Sequence, residues 1–92
     1  MKIRLANNIS QYLLQHGISN IFSVVGGGAM HLNDALGHQQ GLYVTYTHHE
    51  QAAAMAAEAY YRVNNQLACA CVTSGPGGTN AITGVLCAFT DS

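Results

Sequence analysis

Charge is what this sequence has least of. Three Lys or Arg and four Asp or Glu make up 8% of its 92 residues, against roughly 25% in a typical soluble domain. A chain of this length makes one small domain or part of a larger one, and its surface-to-volume ratio is high. With so few charges to cover that surface, much of it is expected to lie against other protein. The formal net charge of −1 and the lack of a basic cluster argue against nucleic acid and anionic membrane as partners. No apolar run reaches the roughly 18 residues of a membrane span. The start, Met1 to Asn8, lacks the continuous apolar core of a secretion signal, so a cytoplasmic location is the expectation. Cysteine is sparse as well. Cys69, Cys71 and Cys87 have neither zinc nor thioredoxin spacing and read as buried small apolar residues.

What the chain does have is an alternation of strand-length apolar runs and helical stretches. Leu5, Ile9, Tyr12, Leu13 and His16 recur at helical spacing, with Asn7, Asn8, Gln11 and Gln15 on the other side and Gly17 at the place of a C-cap. An apolar strand run then breaks at Gly26-Gly27-Gly28. A short helix over 29–36 follows, then a turn between Gly37 and Gly41, a strand over 42–47 and an alanine-rich helix led by Glu50 and ending at Asn64-Asn65. Residues 67–73 read as a strand buried on both faces, residues 74–80 as a loop, and residues 81–89 as a last apolar helix. Strands alternating with helices through short connections predict a three-layer α/β/α fold on a parallel sheet. All strand-to-helix loops then share the carboxyl edge, where ligands bind. Three unusual loops meet at that rim: Val24-Val25-Gly26-Gly27-Gly28, Thr47-His48-His49-Glu50, and Thr73 to Asn80.

Glu50 is the residue on which these loops converge. An acid in a first helical turn also complements the helix dipole, and that plainer reading stays open. Zinc does not, because the two-histidine metalloprotease pattern begun by His49-Glu50 needs a histidine at 53, where Ala53 stands. Packed among Ala52, Ala53, Ala54 and Met55, the carboxyl is expected to be poorly solvated, which favours a protonated form that donates a hydrogen bond. The third loop lacks the lysine of a P-loop, since Lys2 is the sole lysine, and has Asn80 where the dinucleotide fingerprint needs glycine. A neutral ring suits it better than a phosphate tail, with a purely structural Pro-Gly turn as the alternative. His16, His31 and His38 read as surface or boundary residues. His48 and His49 are of interest only because Glu50 follows them.

Taken in order, Ile21-Phe22, Gly26-Gly27, Asp34-Ala35, His49-Glu50-Gln51-Ala52-Ala53, Ala57-Glu58-Ala59-Tyr60 with Arg62, and Thr73-Ser74-Gly75-Pro76-Gly77-Gly78-Thr79-Asn80-Ala81-Ile82-Thr83-Gly84 resemble the N-terminal pyrimidine-binding domain of thiamine-diphosphate enzymes. The acetolactate synthase branch is the nearest match. The resemblance implies that Glu50 hydrogen-bonds N1′ of the cofactor's aminopyrimidine, so that the exocyclic nitrogen acts as a base toward thiazolium C2 in a decarboxylase or carboligase of 2-oxo acids. It also implies that Val24, Val25 and Gly26, with Pro76 and Asn80, hold the cofactor across a homodimer or tetramer interface.

Two departures stand out. Many synthases have proline where this chain has Val25. Family members are also several times longer, with a middle domain and a C-terminal domain that binds magnesium and the diphosphate, and some carry FAD. Residues 1–92 are therefore expected to be the N-terminal part of a pyrimidine-binding domain, inactive alone. A non-catalytic nucleotide-binding module and a non-functional truncated product are the other readings.

Overall fold

The structure, a computed structural model, describes residues 4–91. Residues 1–3 of the start read above, Lys2 among them, lie outside these residues, as does Ser92. The elements run α1 Leu5–Gln15, β1 Asn20–Ser23, a 3-10 turn Gly27–Ala29, α2 Met30–His38, β2 Tyr43–Tyr46, α3 Glu50–Asn64, β3 Cys69–Cys71, α4 Pro76–Asn80 and α5 Ile82–Asp91. The strands form one parallel sheet in the order β2-β1-β3, with Ile21 opposite both Val44 and Cys69.

Side chains alternate across a strand, so this register decides what each face meets. Ile21, Val44, Cys69 and Cys71 face one way and pack with Leu13, Leu14, Leu32 and Leu36 of α1 and α2. Phe22 faces the other way, toward α3, where its ring lies 6.3 Å from that of Tyr60. Two residues before it on β1, and so on the same face, Asn20 donates from Nδ2 to the Tyr60 hydroxyl at 2.9 Å. Helices thus cover both faces, as the alternating pattern requires.

Several local expectations change. On α1 the inward row is Ser10, Leu13 and Leu14, while Leu5, Ile9 and Tyr12 are exposed. A polar residue can turn inward here because the Ser10 hydroxyl lies 2.8 Å from the Asn7 carbonyl and 3.1 Å from Gln39 Oε1. Tyr12 stays outside and stacks on His16, ring centroids 4.0 Å apart. Gly17 does end the helix region at φ +79°. Asn65 closes α3 in the left-handed region at φ 56°, a conformation that asparagine tolerates better than most residues.

Strand β3 is not buried on both faces: Ala70 is exposed and only Cys71 is fully buried. The stretch 74–80 is mostly helix rather than loop. Gly75 turns the chain at φ +66° and Pro76 starts α4, where its missing N–H costs nothing. Cys87 is exposed on α5, against the expectation of three buried cysteines. Ile82, Val85, Leu86 and Phe89 of the same helix are exposed as well.

Burial raises the Cys69 thiol above its ordinary range, with the neighbouring Cys71 adding to the effect. Burial raises Cys71 too, against an opposing hydrogen bond from Ser23. The thiolate is the species that reacts, and a raised pKa makes it scarcer at any given pH. Iodoacetamide at pH 8 is accordingly expected to alkylate Cys87 first, with Cys69 and Cys71 labelled at a rate comparable to Cys87 only after unfolding in urea. Peptide mass spectrometry reads the order, and Cys71 labelling first in the native chain would contradict the packing.

Candidate functional site

The three strand-to-helix loops lie side by side at the carboxyl edge because the strands are parallel and adjacent. Two backbone bonds fasten the loop starts to the sheet: the Val24 N–H donates to the Cys71 carbonyl at 3.2 Å and the Thr47 N–H to the Ser23 carbonyl at 2.9 Å. Behind the first loop is a buried polar pair that sequence patterning did not single out. The Ser23 hydroxyl donates to Asn33 Oδ1 at 2.6 Å, and Asn33 Nδ2 donates to the Ala29 carbonyl at 3.0 Å. Ser23 and Asn33 are both buried, so each needs its partner to offset lost hydration. Together they pin the 3-10 turn and α2 to the end of β1.

The second loop delivers Glu50 as the first residue of α3. His49 caps that helix: its Nδ1 accepts from the Gln51 N–H at 3.0 Å, while the Thr47 hydroxyl donates to the His49 carbonyl at 2.9 Å. His49 is thus a structural cap, and His48 is exposed. Neither histidine is brought to the Glu50 carboxylate by any of these bonds.

Glu50 itself is half-buried rather than enclosed, and Ala52 beside it is exposed. Two groups of the short helix α4 stand beside its carboxylate. Asn80 Nδ2 donates to Glu50 Oε1 at 3.2 Å. Glu50 Oε2 faces Gly77, where a Cβ would lie 3.6 Å away. One oxygen is therefore held in the acceptor role, and the other is left for a second partner.

Of the residues expected at the site, Glu50 and Asn80 are brought into direct contact. Gly26 joins them through Thr73: a Cβ on Gly26 would lie 2.5 Å from Thr73 Cβ, and one on Gly77 would lie 2.9 Å from Thr73 Cγ2. Real side chains never approach so closely, so only glycine lets the first loop and α4 close on Thr73. Val24 is tied to β3, Val25 stands 63% exposed, and Pro76 is exposed at the start of α4. Sequence reasoning placed Thr73 only as the edge of a loop. The signal that could have marked it is the two glycine runs on either side of a strand-end threonine.

Residues 3–92 match the family model of the thiamine pyrophosphate enzyme, N-terminal TPP binding domain. The chain belongs to this family. Members among the relatives include the acetolactate synthase large subunit of Haemophilus influenzae, 41% identical over 91 residues, which cover 99% of this chain and 16% of the relative. The isozyme 3 large subunit of Escherichia coli is 37% identical over 87 residues, covering 95% of this chain and 15% of the relative. A probable acetolactate synthase large subunit of Methanocaldococcus jannaschii is 39% identical over the same length and shares. The chain thus spans about a sixth of these relatives' length. As a TPP-binding domain of acetolactate synthase-like type, it has a rim whose residues suit an aminopyrimidine. A carboxylate with one oxygen outside the Asn80 bond suits a ring nitrogen that takes or gives a proton. Among the described residues no group of three or more His, Cys, Asp or Glu is placed to hold a metal ion, and no helix is long and apolar enough to cross a membrane.

Proposed function

We propose that residues 1–92 form the aminopyrimidine half of the cofactor site in a thiamine-diphosphate-dependent decarboxylase or carboligase of 2-oxo acids, of acetolactate synthase type. The observation that carries the proposal is the Glu50 carboxylate at the rim, with Oε1 held by Asn80 and Oε2 open beside Gly77. Bound thiamine diphosphate supplies the electron sink for breaking and making bonds at a keto carbon. The chain's own part is to hold a proton at Glu50 Oε2 against N1′ of the ring, while Asn80 keeps the carboxylate from rotating away. Val24, Val25 and Gly26 form one side of the ring's cleft and Pro76 and Asn80 the other. Magnesium and the diphosphate are held by a domain outside residues 1–92, and a second subunit closes the site in a homodimer or tetramer. FAD, where a relative of this type carries it, belongs to those other domains too.

Two measurements test this. The 92-residue chain with thiamine diphosphate, magnesium and pyruvate is expected to release no carbon dioxide above a protein-free blank; turnover there would overturn the half-site reading. A chimera in which this chain replaces the matching segment of the Haemophilus influenzae relative is expected to form acetolactate. A folded chimera that fails to bind thiamine diphosphate would count against the assignment of the rim.

A further inference from the structure

Thr73 follows β3 and is the only side chain that touches both glycine-bearing walls of the rim among the contacts described above. Its hydroxyl accepts the Gly28 N–H at 3.2 Å. Its Cβ and Cγ2 occupy the space a Cβ on Gly26 would need, at 2.5 and 2.6 Å, and Cγ2 lies 2.9 Å from the Cβ position of Gly77. Gly77 in turn fronts Glu50 Oε2. One side chain therefore sets how far the first loop stands from α4, and α4 sets what Glu50 faces.

We infer that Thr73 is a positioning residue of the cofactor site, a two-sided spacer that fixes the first loop against α4 so that both walls address the Glu50 carboxylate at a set separation. The hydroxyl locks the loop in height through Gly28, and the methyl holds Gly26 and Gly77 apart. Neither group needs to touch the cofactor for this. The inference rests on the reading of the rim as the aminopyrimidine site, but its first readout does not.

That readout is amide hydrogen exchange in the full 92-residue chain, followed by NMR. Thr73→Val keeps the shape and removes the acceptor, so the Gly28 amide is expected to exchange about fivefold faster, the worth of one net hydrogen bond. The Val24 amide, bonded to the Cys71 carbonyl, should keep its rate and serves as the internal control. Thr73→Ser restores the acceptor and should return Gly28 to the wild-type rate. A second readout tests the methyl: Gly77→Ala is expected to displace the Asn80 side-chain amide resonances, and adding Thr73→Ser, which removes Cγ2, should restore most of that shift.

The cofactor arm uses the Haemophilus chimera, which carries the remaining domains, and measures the Kd of thiamine diphosphate with magnesium. Thr73→Val is expected to weaken the interaction about fivefold relative to wild type, with Thr73→Ser closer to wild type. Unchanged Gly28 exchange in Thr73→Val, or no rescue of Gly77→Ala by Thr73→Ser, overturns the spacer role. Altered exchange in the chain together with no thiamine diphosphate binding by a folded chimera leaves the spacer standing and overturns the assignment of the rim to the cofactor.

Discussion

Replacing Glu50 by glutamine in the Haemophilus chimera is expected to slow hydrogen–deuterium exchange at C2 of bound thiamine diphosphate by about 10²- to 10⁴-fold, the usual range for loss of a positioned proton-transfer group. Glutamine preserves the length of the side chain and still offers Oε1 to Asn80 Nδ2, so the 3.2 Å contact can persist. What it cannot do is take up and release a proton at the second terminal atom. Asn80→Ala gives the contrast. It removes one neutral donor and leaves the acid, so exchange should slow only about 2- to 10-fold, in line with a single hydrogen bond. If Glu50→Gln leaves exchange at C2 unchanged while cofactor affinity is intact, Glu50 reverts to a partner of the α3 dipole.

The site was legible where backbone order alone decides it. Parallel β-α units bring strand-to-helix loops to one edge whatever their side chains do, so Glu50, Gly26 and Asn80 could be gathered from the sequence. The surroundings of Glu50 were not legible in the same way. Helical proximity pointed to Ala52 through Met55, but the first residue of a helix projects past its own helix, and its hydrogen-bond partner comes from α4, 30 residues away at Asn80. Thr73 was missed for a related reason. Its importance lies in the atoms that Gly26 and Gly77 lack, and a missing Cβ acquires meaning only when the opposing residue is known.

Elsewhere the errors share one cause, which is the limited reach of periodicity. Leu5, Ile9 and Tyr12 follow helical spacing as well as Leu13 and Leu14 do, and only the position of α2 decides that the row containing Ser10 turns inward. The run 67–73 looked like a central strand because it is apolar, although β3 pairs only with β1 and leaves Ala70 exposed. Residues 74–80 carry turn composition throughout, yet Gly75 at φ +66° confines the turn to its start and allows Pro76 to open a helix. That short helix is what carries Asn80 to Glu50.

Gly84→Ala is expected to be the most destabilising small substitution in the chain, because it acts where α5 crosses α3. A Cβ on Gly84 would lie 2.5 Å from Ala54 Cβ, 3.1 Å from the Met55 nitrogen and 3.2 Å from the Ala54 carbonyl carbon. Two of these neighbours are backbone and cannot rotate aside, so the helices must separate. Overpacking of this kind costs about 1–3 kcal/mol, partly offset by the better helix propensity of alanine, up to about 1 kcal/mol. A net loss of about 1–2 kcal/mol lowers the melting temperature of a domain this size by roughly 4–16 °C. Gly37→Ala is the control. It sits in α2 with nothing nearer than the Tyr46 hydroxyl at 3.9 Å, so the same substitution should raise stability by about 0.5–1 kcal/mol. Adding Ala54→Gly to Gly84→Ala removes the shortest clash and should recover part of the loss, whereas no recovery would place the strain elsewhere. Asn80 and α5 are joined through Ala81, buried between α4 and α5, so a displaced α5 pulls on the residue that holds Glu50 Oε1. Thermal melts of Gly84→Ala should therefore be accompanied by a shift of the Asn80 side-chain amide that Gly37→Ala does not produce.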